Sequence, residues 1–211
     1  ALLVEACKPD IAGLQLGGSY ERTFERFLAR MALEKFPNEL KSYLASASDK
    51  HNPANILWAI QALDDENARK DIFLKIWSKV SGGTIDSETF VAIAGALSNK
   101  EIHAAVAPTF QELTHAEGVV TTAIANQSRV QSKQLAALLT PAVVHLLQSE
   151  KTLPLALNAI SSLKITGLND VVSKIGTAGK DTTTLRLLVS ALALDPKPNA
   201  SILSNISADD A

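Results

Sequence analysis

The chain of 211 residues has a single cysteine, Cys7, which excludes a disulfide framework within it. Aromatic residues are scarce, at 5%, although 46% of the residues are hydrophobic. The apolar mass is therefore Ala, Leu, Ile and Val, a composition suited to closely packed helices. Neither sign of charge dominates: 20 basic residues face 22 acidic ones. That balance lacks the basic footprint of a nucleic-acid binder, and equally an acidic tail or a cationic membrane-seeking helix. The longest apolar stretch, Leu135 to Leu147, is broken by Thr140, Pro141 and His145 and is too short to span a bilayer. A soluble protein is expected, and one cysteine does not choose between cytosol and periplasm.

Motifs that carry chemistry are also missing. The four histidines, His51, His103, His115 and His145, never stand at i, i+4, and there is no His-Glu-x-x-His. A zinc site needs three or four convergent ligands, and no such cluster is visible in the sequence. No Gly-x-Ser-x-Gly elbow, Walker loop or dinucleotide glycine pattern occurs. Catalytic, cofactor-binding and metal residues are accordingly assigned as none. Gly17-Gly18-Ser19 has the form of an anion cradle at a helix start, but a linker followed by a Ser N-cap explains it more simply. Asp64-Asp65-Glu66 is an acidic cluster whose plainer reading is a helix N-terminus favoured by the macrodipole.

What the sequence does have is helical periodicity. Phe24, Phe27, Leu28 and Met31 fall at i, i+3, i+4, i+7, as one helix face requires. Ile72, Phe73, Ile76, Trp77 and Val80 form a second stripe, and Leu185, Leu188, Val189 and Leu192 a third. Helices are expected over 1-8, 19-36, 37-46, 53-63, 66-80, 86-98, 100-116, 118-127, 131-139, 141-150, 152-164, 168-178, 181-194 and 199-207, with 118-150 forming either two helices or three. Asn52-Pro53 and Thr140-Pro141 read as a cap followed by proline at the first helical position. Ser19, Asp86, Asn99 and Asp181 are further cap candidates, and Gly82-Gly83, Gly118 and Gly179 stand where helices should stop. Pro108 should kink or split the helix over 100-116. Short loops predict antiparallel neighbours.

A small residue followed by leucine recurs at Ala32-Leu33, Ala62-Leu63, Ala96-Leu97, Ser162-Leu163 and Ala193-Leu194. The intervals are 30, 34, 66 and 31 residues, the long one being two periods with a degenerate copy around Ala123-Ile124. Six residues before each leucine stand Phe27, Leu57, Val91, Leu157 and Leu188, all large and apolar. Four before stand Ala29, Ala59, Ile93, Ala159 and Ser190, mostly small. One such hairpin cannot bury its apolar face alone, so stacked copies are expected to share a continuous core.

At these residues the chain resembles the HEAT/armadillo class of α-solenoids, over 19-207. The resemblance implies an all-α fold, a right-handed α-α superhelix of about six helical hairpins. Residues 1-18 would be a partial N-terminal helix and linker, and 208-211 a C-terminal tail. The start, Ala1-Leu2-Leu3-Val4-Glu5, has no initiator Met and no signal-peptide pattern, and reads as a cut end within a helix of a longer or processed chain. Phe24 to Pro37 is similar, more narrowly, to repeat units in large bacterial proteins that join a β-propeller, a HEAT-like array and a cytochrome c. That likeness would put the chain in the periplasm; otherwise the cytoplasm is expected. There is no Cys-x-x-Cys-His, so a c-type haem would belong to a neighbouring domain.

The function expected is a non-catalytic interaction or scaffold module presenting a concave helical surface. It would bind a protein partner or neighbouring domains of a larger chain, with no nucleic acid and no membrane. The alternatives are a structural segment of a haem-containing dehydrogenase and an all-α enzyme with dispersed active-site residues. Arg22, Arg26 and Arg30, at i, i+4, i+8, form the candidate partner-binding stripe, against the plainer reading of a solvated charged face. Trp58 and Trp77 lie in apolar stripes and are expected in the core.

Overall fold

A computed structural model describes residues 1–8, 19–81, 85, 87–130 and 133–194. The described residues form an all-helical chain that divides into two compact units, Ala1–Val106 and Ala107–Ala211. The expected helix 199-207, the Asp86 cap, the Gly82-Gly83 stop and the boundaries at residues 18 and 208 lie outside the described residues.

The first unit contains α1 (Leu2–Glu5), α2 (Ser19–Leu33), α3 (Pro37–Ala47), α4 (Pro53–Ala59), α5 (Glu66–Ser81) and α6 (Ser87–Ala96). Helix α7 (Lys100–Gln111) starts in this unit and runs past its boundary. Single 3-10 turns follow α3 and α4. The start signals act as their chemistry predicts. Asn52 accepts from the Ala54 N–H at 2.9 Å, with Pro53 at the first helical position. Asp65 accepts from the Ala68 N–H at 3.0 Å and opens α5, and Asn99 accepts from the N–H groups of Glu101 and Ile102 to open α7. The stripe Ile72, Phe73, Ile76, Trp77 and Val80 is buried throughout. Alternate helices touch: α2 packs on α4, α4 on α6, and α3 on α5.

The second unit contains α8 (Ala116–Ala125), α9 (Lys133–Leu146), α10 (Leu153–Leu163), α11 (Asn169–Val172) and α12 (Thr182–Leu192). Helix α10 is its centre and packs on α8, α9 and α12. Leu153, Ala156, Leu157, Ala159 and Ile160 face inward on it, three of them with no exposure at all. Asp181 caps α12 by accepting from the Thr184 N–H at 2.9 Å.

Several expectations need correction. Of the two or three helices expected over 118-150 the structure has two, α8 and α9, because α9 runs straight through Pro141 instead of splitting there. Leu135, Leu138, Leu139, Ala142, Val143 and Leu146 form one buried stripe on both sides of the proline, and Pro141 itself faces solvent. Burial of six apolar residues outweighs one missing hydrogen bond. Thr140 does not cap; its hydroxyl donates to the Ala136 carbonyl at 2.9 Å.

The helix expected over 100-116 keeps Pro108 inside α7 but ends at Gln111, where Glu112 is extended. Gly118 is no stop, since it sits in the first turn of α8 with open space around it. The helix expected over 168-178 is a single turn, α11. The β-branched Val171 and Val172 at its end, then Gly176 beyond it, withdraw helix propensity; i+3 bonds carry the chain on only to Ile175, and Gly179 turns it at φ +75°.

Candidate functional site

The sequence nominates the arginine stripe of α2, and the structure divides it. Arg26 is buried at 3% exposure, so it belongs to the core of the first unit rather than to a solvated face. Its Nη1 donates to Glu88 at 2.9 Å and its Nε donates to the Cys7 carbonyl at 3.3 Å. The guanidinium plane lies over Trp58, 4.2 Å from the ring centroid. One side chain thus ties α2 to the chain after α1, to α4 and to α6. Arg30 is half-buried, pairs with Glu34 at 3.2 Å, and leans on the rings of Phe27 and Trp58 at 5.5 Å each. The Arg22 side chain lies outside the described residues.

The apolar stripe of α2 is also displaced. Phe24, Phe27, Leu28 and Met31 are 52%, 41%, 48% and 43% exposed, contrary to the expected core face. Among the described side chains of this helix the buried ones are Arg26, Ala29 and Leu33, at i, i+3, i+7. The cation, held by Glu88 and Trp58, turns its own side inward, and the larger apolar side is left facing solvent. Phe36, just beyond the helix, extends this surface at 53% exposure.

The tryptophans follow expectation in one case fully. Trp77 is buried, stacks on Phe73 at 5.6 Å, and donates its indole N–H to the Ala105 carbonyl at 2.9 Å. Trp58 is half-buried, with the Arg26 guanidinium on its face.

His51, like Arg26, makes an arrangement that sequence spacing did not show. Its Nδ1 meets the Glu5 carboxylate and its Nε2 lies 2.8 Å from the Tyr43 hydroxyl. His51 stands 8 residues from Tyr43 but 46 from Glu5, so only the return of α1 onto this part of the first unit reveals the trio. The imidazole side chain is 5% exposed, and both ring nitrogens are occupied. It links Glu5 of α1 to Tyr43 of α3. His103 is half-buried on α7, His145 is exposed on α9, and His115 sits 3.9 Å from Glu112 at the surface. Among the described residues no three His, Cys, Asp or Glu side chains gather to hold a metal.

Cys7 is fully buried and its thiol donates to the Leu3 carbonyl at 3.2 Å. Burial pushes the thiol up to about 11, against the opposing pull of Arg26 and Arg30. The acidic cluster resolves into Asp65, which bonds Lys41 at 2.6 Å while capping α5; the lysine and then the Ala68 N–H hold its carboxyl below the ordinary value. Gly17-Gly18 lies outside the described residues.

In the second unit an open groove of about 610 Å³ lies between the start of α9 and the segment leaving α10. Lys133 and Lys164 border it, with Ala136, Ala137, Thr140, Ser162, Leu163, Ile165 and Thr166 along its walls. No helix among the described residues is long and apolar enough to cross a membrane. The chain matches no known protein family, no curated protein and no solved structure.

Proposed function

We propose that this chain is a non-catalytic protein-interaction or scaffold module, a HEAT-like right-handed superhelix of stacked hairpins. The recurrence of the small-residue/Leu ending supports the repeat. So does the way alternate helices touch within each unit, α2 on α4 on α6 in the first and α8 on α10 on α12 in the second.

The observation that carries the interaction reading is the solvent-facing stripe of α2. Phe24, Phe27, Leu28 and Met31, each about half exposed, add up to roughly 350 Å² of surface, within the range of the largest apolar patch on an ordinary monomer, which is often functional. Their i, i+3, i+4, i+7 spacing fits an amphipathic helix laid against them, whose own apolar face would fill the ridge between Phe24 and Met31. Arg30, beside Phe27, would meet an acidic residue flanking that face.

The test uses the chain as bait beside a Phe24→Glu, Leu28→Glu variant, with proteins captured from its natural source. Both positions face solvent, so the variant should melt as the native chain does. A partner held by the native chain and lost by the variant supports the reading. Identical captures, or none, would sink it.

A second reading rests on the same residues, because Phe24 to Pro37 is also the segment similar to arrays in propeller–cytochrome c proteins. There the stripe would pack against a neighbouring domain of one long chain. The intact mass and visible spectrum of the native parent decide: a mass far above 22.4 kDa with a haem Soret band favours this reading, and a mass near 22.4 kDa without one removes it.

A further inference from the structure

We propose that the groove between α9 and the segment after α10 is a docking site for an acidic peptide segment in extended form. This adds a second surface to the interaction reading and rests on it in kind, but it uses different residues in the other unit.

The argument begins with charge. Lys133 and Lys164 border the groove, and no carboxylate lines it. Among the described residues neither lysine has an acidic partner, so a bound carboxylate would displace no existing ion pair. Lys133 is moreover the first residue of α9, where the helix dipole already concentrates positive potential. A cation there works against the fold and in favour of a bound anion.

Backbone conformation adds a second observation. Lys164 closes α10 in the left-handed region, at φ 53° and ψ 46°, and is the only non-glycine residue with positive φ among those described. Glycine is the usual occupant of that position, so a lysine there carries a cost the fold does not need.

The third observation is the apolar wall: Ala136, Leu163 and Ile165 line the same groove as the two lysines. An extended peptide supplies the complement: carboxylates for the two lysines and aliphatic groups for Ala136, Leu163 and Ile165. A free inorganic anion would satisfy the lysines alone.

The test pans a randomised heptapeptide library against the full chain, in parallel with Lys133→Glu, Lys164→Glu and with the Phe24→Glu, Leu28→Glu variant. Binding of the selected peptides is then measured by fluorescence anisotropy. Peptides rich in Asp and Glu should be enriched on the native chain and on the α2 variant, and should bind the lysine variant at least roughly tenfold more weakly, the loss expected of a charge-assisted contact. A Lys164→Gly variant, which keeps the backbone conformation, should show a smaller loss in the same direction even if the double charge reversal fails to fold. No enrichment, or enrichment of peptides without acidic residues, overturns the proposal. Enrichment that survives both lysine variants but is lost on the α2 variant also overturns it, while leaving the interaction reading of α2 standing.

Discussion

Arg26 and Trp58 hold each other twice: the guanidinium lies 4.2 Å above the indole ring, and the indole N–H donates back to the Arg26 carbonyl at 3.0 Å. Arg26 also neutralises Glu88, whose side chain is 20% exposed. Replacing Arg26 by Met should therefore cost about 3 kcal/mol, through loss of its bonds to Glu88 and to the Cys7 carbonyl and of its contact with Trp58. The chain's two tryptophans both lie in the first unit, so urea unfolding followed by their fluorescence reads that unit alone. Adding Glu88→Gln to Arg26→Met should recover about 1 kcal/mol or more. Strict additivity of the two changes would show that the pair is not coupled.

Cys7 should be inert in the folded chain. With its thiol at about 11 and no exposure, roughly one molecule in a thousand would carry the thiolate at pH 8 even before access is considered. Reaction with an aromatic disulfide reagent should follow opening of the N-terminal segment, and should speed up in Arg26→Met, which removes the donor to the Cys7 carbonyl. A fast reaction equal in both proteins would contradict the burial.

Acid should destabilise the chain through particular carboxyls. The bond from Lys79 lowers Asp49, that from Lys41 lowers Asp65, and those from the Thr184 N–H and hydroxyl lower Asp181, all below 3.8. Each binds its proton more weakly when folded than when unfolded. The stability they contribute is thus present above the unfolded value and lost as pH falls through the folded ones. All three are exposed, so the effect should be modest and shrink in high salt. Melting temperature measured against pH below about 5 should fall less steeply in Asp65→Asn. An unchanged slope would remove Asp65 from the account.

Lys164→Gly should stabilise the second unit by about 1 kcal/mol, since glycine adopts the left-handed conformation without the Cβ clash. Thermal melting by circular dichroism checks this. A loss of stability would mean that the lysine side chain makes up for its strained backbone.

Ala159→Pro should do the reverse. Ala159 lies in the middle of α10 with no exposure, and proline removes a helix bond and adds a clash costing about 3 kcal/mol or more. Because α10 touches α8, α9 and α12, the ellipticity lost should exceed one helix. Unchanged ellipticity and melting would show that residue 159 is not inside a packed helix.

The helices themselves were legible because their signals are local. Asn52-Pro53, Asn99 and Asp181 each start a helix through atoms two or three residues away, and the stripe from Ile72 to Val80 needs only its own spacing to choose a face. Pro141 was misread because the rule for proline is local while the outcome was not: six buried residues along α9 hold the helix together across it. Periodicity found the apolar stripe of α2 but could not say that the stripe would face solvent, nor that Arg26 would be turned inward.

Sequence alone determined the all-helical character, the caps at Asn52, Asn99 and Asp181 and the recurrence of the small-residue/Leu pairs, since these depend on neighbours within a few residues. Tertiary structure decided which side of α2 is buried, brought Glu5, His51 and Tyr43 together across 46 positions of chain, and set Lys133 and Lys164 on one groove. Those arrangements depend on contacts between distant segments, where the burial of one ion pair or the continuity of one apolar face can overrule what each segment would do by itself.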